Sequence, residues 1–192
     1  MAGSITTQGG DSGETSLLYG GRIPKDSLHT EAYGALDEAI SALGMARAAA
    51  QGTCAERILA LQRELFTVGA ELATAPAQRD KLDKHFSTVT AAMTDALHTE
   101  IHDLEARVEL PPSFVIPGGS SVGAALDLAR TIVRRAERRA VALQRESGLG
   151  NDEVIRYLNR CSDLLFLLAR DAENGAIVAK PRDRGDRDGA GG

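Results

Sequence analysis

Five arginines lie between residues 130 and 139 of a 192-residue chain whose formal net charge is -5. Arg130, Arg134 and Arg138 recur every four residues, so in a helix they share one face. Arginine stays charged and offers paired N–H donors to oxyanions, which suits the binding of a polyphosphate. The alternative is a solvated charged surface, which is the commoner use of such a run on a helix.

Two carboxylates lie within one helical turn of these arginines. Asp127 precedes Arg130 by three residues, and Glu137 follows Arg134 by three. Each could orient its arginine or lie near a metal ion. An apolar stripe along the same segment predicts that one side of the helix packs against a core, and its members are Ala125, Ala129, Ile132, Ala136 and Ala140.

A second candidate for ligand binding is the stretch 6–16, in which glycines are interleaved with hydroxyl side chains. Glycines let a backbone approach a ligand closely, and backbone N–H groups bind phosphate. The stretch is not a Walker A loop, because no Gly-Lys-Ser/Thr follows at the needed spacing. The alternative is a disordered tail. Lys25, which follows in a turn, could be an ordinary surface lysine.

The composition favours a helical protein and excludes several functions. Aromatic residues make up 4% of the chain and tryptophan is absent, which favours packed helices over sheets. No apolar run approaches the roughly 20 residues of a membrane span. A net acidic chain with one basic helix face is not expected to bind nucleic acid. Cys54 and Cys161 follow no pattern, so we expect a reduced, cytoplasmic protein.

The hydrophobic periodicity predicts five helices joined by short loops, at about 27–50, 53–75, 82–106, 121–147 and 152–172. Thr53, then Ser120 or Ser121, and then Asn151 or Asp152 are the predicted caps of the second, fourth and fifth helices. Such seams predict an all-α antiparallel bundle. We divide the chain into an N-terminal loop and flexible tail at 1–26, the bundle at 27–176, and a disordered tail at 177–192.

Two histidines have the spacing of metal ligands but lack the rest of a metal site. His98 and His102 are one turn apart, yet the glutamate between them lies on a different face from that of a zincin. The chain also lacks the paired Glu-x-x-His motifs of di-iron bundles. We therefore predict no residue of this chain to be a metal ligand.

Four segments together resemble the PduO-type ATP:cob(I)alamin adenosyltransferases, and the resemblance extends from about Thr6 to Ala172. The first segment combines the loop 7–16 with Arg22-Ile23-Pro24-Lys25-Asp26, and the second is Glu31-Ala32-Tyr33-Gly34-Ala35-Leu36-Asp37-Glu38. The third combines Phe114-Val115-Ile116-Pro117-Gly118-Gly119 with Arg134-Arg135-Ala136-Glu137-Arg138-Arg139, and the fourth is Tyr157-Leu158-Asn159-Arg160-Cys161-Ser162-Asp163. Their order and spacing on a five-helix pattern make the resemblance specific.

The resemblance implies a fold and a reaction. The fold is a five-helix bundle of the ferritin-like, cobalamin adenosyltransferase type, assembled as a homotrimer with active sites between neighbouring subunits. The reaction moves the 5′-deoxyadenosyl group of ATP to cob(I)alamin and releases triphosphate, with Mg²⁺ present. A flavoprotein reductase and an adenosylcobalamin-dependent mutase are the implied protein partners.

The resemblance also implies roles for individual residues. The nucleotide would be lined by Thr7, Gln8, Gly9, Gly10, Thr15 and Ser16. The triphosphate and Mg²⁺ would be held by Lys25, Arg134 and Arg138, with Arg135 among the nucleotide contacts and with Glu137 and Asn159 fixing nearby groups. On the corrin side, Asp37 would pair with Arg130 across the subunit boundary, and Phe114 would lie against the lower corrin face.

One position departs from the family pattern, since Gly9 stands where the family usually has Thr or Asn, and a side-chain contact is lost there. Two other classes of function remain open at this point. An ATP- or adenosylcobalamin-binding sensor or chaperone would use the same pocket without turnover. A helical scaffold protein would explain the seams and the charged face, but not the glycine-rich loop.

Overall fold

The computed structural model describes residues 6, 8–146, 148–173 and 177–179, and most of them are helical. The α-helices of this part of the chain are α1 (Leu28–Ala49), α2 (Gly52–Leu72), α3 (Arg79–His85), α4 (Ala91–Glu105), α5 (Ser121–Glu146) and α6 (Glu153–Asp171). A 3-10 turn at Pro76–Gln78 precedes α3. The short strands are β1 (Glu14–Ser16), β2 (Arg22–Pro24), β3 (Val115–Ile116) and β4 (Ile177–Val178).

Five long helices form the bundle, which confirms the predicted all-α architecture. Helix α1 packs mainly on α5 and also on α2, while α6 packs on α5 and on α4. Ion pairs between α1 and α5 give their relative direction, because Glu31 pairs with Arg139 near the start of α1 and Glu38 pairs with Arg135 about two turns later. The partners run in opposite order along the two helices, so α1 and α5 are antiparallel.

Helices α4 and α6 are parallel neighbours. The Thr94 hydroxyl donates to Glu153 at 3.0 Å, which joins the starts of the two helices. Arg107 and Asp171 form a two-bond ion pair at 2.7 and 3.0 Å, which joins their ends. Successive long helices still reverse direction along the chain, as the prediction of an antiparallel bundle requires.

Small side chains let α1 and α5 approach closely. The buried face of α1 carries Ala32, Ala35, Ala39, Ala42 and Ala46. The predicted stripe of α5 is confirmed, because Ala129, Ala136 and Ala140 are fully buried and Ala125 and Ile132 pack against the core. Close contact between alanine faces fills the interior without large aromatic side chains, which accounts for the low aromatic content.

The predicted third helix, 82–106, is wrong as a single element. The structure ends α3 at His85 and begins α4 at Ala91, with Thr90 as the N-cap whose hydroxyl accepts from Met93 N at 3.3 Å. The break has a physical cause, because the Val89 N–H donates to a Glu71 side-chain oxygen at 2.5 Å instead of to a helical carbonyl.

The predicted caps are partly confirmed. Ser120 caps α5 by accepting from Gly123 N at 2.9 Å, and Asn151 Oδ1 accepts from Glu153 N at 3.2 Å at the start of α6. Thr53 is not a cap, because α2 already begins at Gly52. The N-cap there is Gln51, which makes no capping bond with its side chain.

The two strand pairs lie at opposite ends of the bundle. Strands β1 and β2 form a hairpin beside the last turn of α2, where Leu18 N donates to Ala73 O at 2.9 Å. Strand β3 precedes α5 and pairs with β4, which follows α6. Because α5 has 26 residues, it is about 39 Å long. We call the hairpin side the first end and the β3–β4 side the second end.

Strand β4 lies within the stretch 177–192, for which the composition predicts a disordered tail, and residues 180–192 are outside the described part of the chain. Within the described ranges, every helix is too short or too polar to span a lipid bilayer.

A buried carboxylate joins four parts of the first end. The side chain of Glu71 on α2 is 1% exposed and accepts from Arg79 Nη1 on α3 at 2.5 Å. It also accepts from Val89 N at 2.5 Å and from the Asn151 amide at 3.0 Å. A buried charge with this many donors is compensated, and removing it takes away the acceptor of the Val89 N–H and one acceptor each from Arg79 and Asn151.

We expect Glu71→Ala to lower the free energy of unfolding by about 3–5 kcal/mol, because it removes the buried partner of the Arg79 guanidinium and the acceptor of the buried Val89 N–H. Asp83→Ala is the matched control. Asp83 pairs with the same arginine at 3.4 Å, but its side chain is 53% exposed, so its removal is expected to cost less than about 1 kcal/mol. Denaturant unfolding of the three proteins measures both values, and equal losses would show that Glu71 has no special role.

Candidate functional site

The arginine row of α5 borders a groove between α4, α5 and α6. The groove has a volume of about 330 Å³, and Arg130, Arg134 and Arg160 line it together with Asp163 and Glu105. Arg134 and Arg138 are exposed, and Arg130 is half-buried. The three guanidinium groups outnumber the two carboxylates, and Arg160 pairs with Asp163 at 3.0 Å, so the groove is basic with one charge pair inside it.

The two carboxylates predicted to accompany the row have different roles. Asp127 orients Arg130, because its Oδ1 accepts from Arg130 Nε at 2.9 Å. Glu137 instead accepts from the Asn159 amide at 3.0 Å and so joins α5 to α6. Asn159 therefore lies beside the arginine row, where the resemblance predicts it.

Arg135 and Arg139 face α1 and not the groove. Their guanidinium groups form the ion pairs with Glu38 and Glu31 that fix the direction of α5. A role for Arg135 in nucleotide binding stays a prediction. Arg138 is different again, because its Nη1 donates to the Arg134 carbonyl at 3.1 Å and its side chain stays on the exposed face.

The glycine-rich loop lies directly against Lys25. A Cβ atom added at Gly10 would lie 2.9 Å from Lys25 Nζ, so the ammonium group rests on the bare glycine backbone. Lys25 N also donates to Gly13 O at 2.9 Å, and Arg22 Nη2 donates to Gly9 O at 2.7 Å. The loop and its lysine therefore form one structural unit at the first end.

The remaining loop residues follow the same backbone path. Gln8 has a φ of 55°, which is unusual for a residue with a side chain and marks a tight turn. Thr15 and Ser16 belong to β1, with Thr15 half-buried and Ser16 exposed. Thr7 lies outside the described residues.

Asp37 lies on the exposed side of α1, beside an apolar groove between α1 and α2. This groove has a volume of about 590 Å³, and Leu18, Phe66 and Phe86 contribute large exposed side chains to it. Arg130 is held within its own chain by Asp127. The predicted pairing of Asp37 with Arg130 concerns two subunits and stays a prediction.

Phe114 stands at the second end with its side chain 88% exposed. Its backbone is nevertheless fixed, because its carbonyl accepts from Ala179 N at 2.8 Å and the next two residues form β3. Ile116 and Ile177 are also exposed there, so this end presents an apolar surface.

The predicted site residues are therefore distributed over separate surfaces of one chain. The loop and Lys25 are at the first end, Phe114 is at the second end, and the arginine row lies between them on α5. Asp37 lies on a separate surface, beside the groove between α1 and α2. One copy does not bring these groups into a single pocket.

The surroundings of the two thiols, Cys54 and Cys161, disfavour the thiolate form that a nucleophile needs. Burial raises the pKa of Cys161 to about 12, and burial together with Asp171 raises the pKa of Cys54. His98 and His102 are exposed on α4. No group of three or more His, Cys, Asp or Glu side chains that could hold a metal occurs in the described ranges.

Sequence reasoning missed Arg160 in the groove and a buried ion cluster at the second end formed by Asp127, Arg170 and Glu173. Arg160 is part of the last-helix signature, so its motif carried a signal. Arg170 carried none, because a basic residue in the last turn of a helix normally interacts with the exposed carbonyl groups there.

The bundle and its basic groove define an all-α protein suited to a polyphosphate ligand. Comparison with known proteins narrows this class, because residues 5–172 match the family model described as cobalamin adenosyltransferase. The chain belongs to this family. It is 37% identical to a corrinoid adenosyltransferase of Bacillus subtilis over 93% of this chain and 97% of the relative. It is 39% identical to PduO of Salmonella typhimurium over 92% of this chain, and the match spans 52% of PduO.

The similar solved structures include a PduO-type ATP:corrinoid adenosyltransferase from Lactobacillus reuteri complexed with cobalamin and ATP. In that protein one phenylalanine is replaced by alanine. The TM-score is 0.83 and the sequence identity 29%, over 93% of this chain and 100% of the other. An arginine-to-lysine variant of the same enzyme, complexed with ATP, gives a TM-score of 0.82 at 30% identity over 92% of this chain and 100% of the other.

The contact between Gly10 and Lys25 gives a test of the loop as an anion site. We expect Gly10→Ala to displace the flexible ammonium group without unfolding the protein, and to weaken binding of inorganic triphosphate by about tenfold. Calorimetric titration measures the affinity. Gly44→Ala is the control, because its added methyl would meet only Gln62 at an ordinary 3.5 Å. An unchanged affinity for triphosphate in Gly10→Ala would show that Lys25 does not contribute to anion binding.

Proposed function

We propose that this chain transfers the 5′-deoxyadenosyl group of ATP to cob(I)alamin and releases triphosphate. The observation that carries the proposal is the arginine-lined groove on α5 in a chain whose relatives are corrinoid adenosyltransferases. The Lactobacillus reuteri structure with both cobalamin and ATP bound supports the same pair of substrates.

The reaction needs no protein nucleophile. The electron pair of Co(I) forms the bond to the ribose C5′, the C5′–O bond breaks, and its electrons leave with the triphosphate. The high thiol pKa of Cys161 agrees with a mechanism in which cobalt is the nucleophile. The protein has to align two substrates and to stabilise the charge that develops on the leaving group.

The triphosphate is assigned to Lys25, Arg134 and Arg138. The loop residues assigned to the nucleotide are Thr7, Gln8, Gly9, Gly10, Thr15 and Ser16. Arginine and lysine side chains give charge-assisted hydrogen bonds that strengthen as the C5′–O bond breaks. Asn159 and Glu137 hold each other at 3.0 Å, and this bond keeps the adjoining part of α6 fixed beside Arg134 and Arg138.

Mg²⁺ fits this site as an ion that arrives with the nucleotide. The described residues offer no ready cluster of carboxylates, and Mg²⁺ commonly binds substrate phosphates and water with only one or two protein oxygens. When bound, Mg²⁺ would neutralise part of the triphosphate charge. Glu137 is the carboxylate that lies between Arg134 and Arg138 in the sequence, close to where the triphosphate is assigned.

The separation of the site residues supports a shared active site in a homotrimer. The exposed groove beside Asp37 is apolar and carries a negative charge, whereas the exposed row of α5 is positive. Two unlike surfaces that complement each other give a head-to-tail contact, and such contacts close into a ring when the rotation between copies is a whole fraction of a turn. The proposed pairing of Asp37 with Arg130 of the next copy belongs to this contact.

Phe114 is assigned to the lower face of the corrin. An aromatic ring in that position would exclude the lower axial ligand and leave Co(II) four-coordinate, which makes reduction to Co(I) easier. A flavoprotein reductase that delivers the electron, and an adenosylcobalamin-dependent mutase that receives the product, are the partners that this reaction implies.

The decisive experiment incubates the protein with ATP, Mg²⁺ and chemically reduced cobalamin. Formation of adenosylcobalamin and triphosphate in equal amounts is expected. Binding of either substrate without product would identify a sensor or chaperone, and absence of binding would identify a scaffold protein. Light scattering on the same sample is expected to give the mass of three chains.

We expect Arg134→Ala to lower kcat/KM by about 100-fold or more, because it removes a donor to the departing triphosphate. The exposed position predicts a change in unfolding free energy within about 0.5 kcal/mol. Arg145→Ala, an exposed arginine in the last turn of α5, is the matched control and is expected to retain activity. Equal turnover in both variants would contradict the assignment.

We expect Phe114→Ala to slow the reaction that starts from Co(II), and to affect corrin binding and the reaction that starts from Co(I) much less. The reason is that the missing ring no longer excludes the axial ligand. Absorbance spectra measure the fraction of four-coordinate Co(II) directly. Met45→Ala, an exposed apolar residue of α1, is the control. The same four-coordinate fraction in Phe114→Ala and wild type would refute this role.

A further inference from the structure

A buried ion cluster lies at the second end of the bundle. Arg170 Nη2 on α6 donates to Asp127 Oδ2 on α5 at 2.5 Å, and Arg170 Nε donates to Glu173 Oε2 at 2.8 Å. The three side chains are 2–3% exposed. Asp127 also holds Arg130 Nε at 2.9 Å, so the cluster contains two carboxylates and two guanidinium groups.

The cluster holds the segment that follows Phe114. Glu173 Oε1 accepts from Gly119 N at 3.1 Å. An added Cβ would lie 2.9 Å from the Glu173 carboxyl carbon at Gly119, and 2.8 Å from its Cγ at Gly123. Both glycines therefore leave the space that the carboxylate occupies.

The same short piece of chain holds the other side of this segment. Two residues of β4 pair with Val115 and Ile116, and Ala179 N donates to Phe114 O at 2.8 Å. The backbone from Phe114 to Gly119 is thus attached at both ends to residues that follow α6. The Phe114 ring remains free to meet a ligand.

We propose that Arg170 and Glu173 are positioning residues for the corrin side of the active site. They fix the Phe114–Gly119 segment, and through Asp127 they fix the guanidinium group of Arg130 in the same frame. Two predicted corrin-side groups, one on a loop and one on a helix, thereby keep a constant separation. This inference rests on the proposed roles of Phe114 and Arg130.

The energetics of buried ions favour a positioning role over a stabilising one. Burial would lower the pKa of Arg170, but its hydrogen bonds and charge interactions with Asp127 and Glu173 raise it, so the guanidinium stays charged. Buried ion pairs give little net stability compared with apolar residues of similar volume, and some proteins retain them for conformational specificity. The directional bonds of this cluster hold two separate groups, the Phe114–Gly119 segment and Arg130, in one fixed arrangement.

The test compares Glu173→Ala with Asp171→Ala. Asp171 is the matched control, because its carboxylate lies at the end of α6, two residues before Glu173, and pairs with the exposed Arg107. We expect Glu173→Ala to raise the KM for cobalamin by about tenfold or more, since displaced reacting groups cost at least that. The KM for ATP should stay within about twofold, and Asp171→Ala should change neither.

Spectroscopy separates positioning from stability. With ATP and Mg²⁺ present, Glu173→Ala is expected to show a smaller four-coordinate Co(II) fraction than wild type. Glu173→Gln keeps an oxygen that can accept from Gly119 N, so its four-coordinate fraction is expected to lie between those of Glu173→Ala and wild type. Gly119→Ala displaces the carboxylate without removing a charge, so it should reproduce the defect. Combined with Glu173→Ala it should add nothing further, because both changes break one contact.

The outcomes are distinct. A lower melting temperature of Glu173→Ala with an unchanged cobalamin KM and Co(II) spectrum would overturn the proposal and leave the cluster purely structural. Additive losses from Gly119→Ala and Glu173→Ala would overturn it as well. If the proposed function is wrong, the wild-type protein gives no product. If the role of Phe114 is wrong, Phe114→Ala shows the same Co(II) spectrum as wild type.

Discussion

The close contact between α1 and α5 determines what the rest of the molecule can present. Alanines on both helices bury one side of α5 against α1, and Arg135 and Arg139 bind the flanking glutamates of α1. Helix α6 covers another side of α5. Arg130, Arg134 and Arg138 lie away from the contact with α1, half-buried at Arg130 and exposed at Arg134 and Arg138. The core packing therefore decides which arginines can meet a ligand, and separates them from arginines of the same run that serve the fold.

A bundle of five helices also has a consequence for symmetry. When successive helices reverse direction and close into a ring, an odd number leaves one pair of neighbours parallel, and here that pair is α4 and α6. Parallel neighbours have unfavourably aligned dipoles, and side-chain bonds compensate at both ends of the pair. The groove lined by Arg130, Arg134 and Arg160 opens beside this pair, between α4, α5 and α6.

Local spacing predicted the features that depend on local geometry. The arginine row, the Asp127–Arg130 contact, the apolar stripe of α5 and the Ser120 cap all follow from helical periodicity, and each agrees with the structure. The break between α3 and α4 did not, because Phe86 and Val89 continue the helical period while Glu71, far earlier in the chain, captures the Val89 N–H. The β3–β4 pair and the Arg170 cluster likewise join residues about 40–60 positions apart, which periodicity does not encode.

Phe114 combines a rigid backbone with a ring left in water. Exposing an aromatic side chain of this size forgoes about 1.5–3 kcal/mol of hydrophobic stabilisation relative to burial. That stabilisation is gained only when another group covers the ring, so the uncovered protein is less stable by this amount than the covered one. The apolar surface around Phe114 therefore favours any state of the protein in which the ring is covered over the state in which water surrounds it.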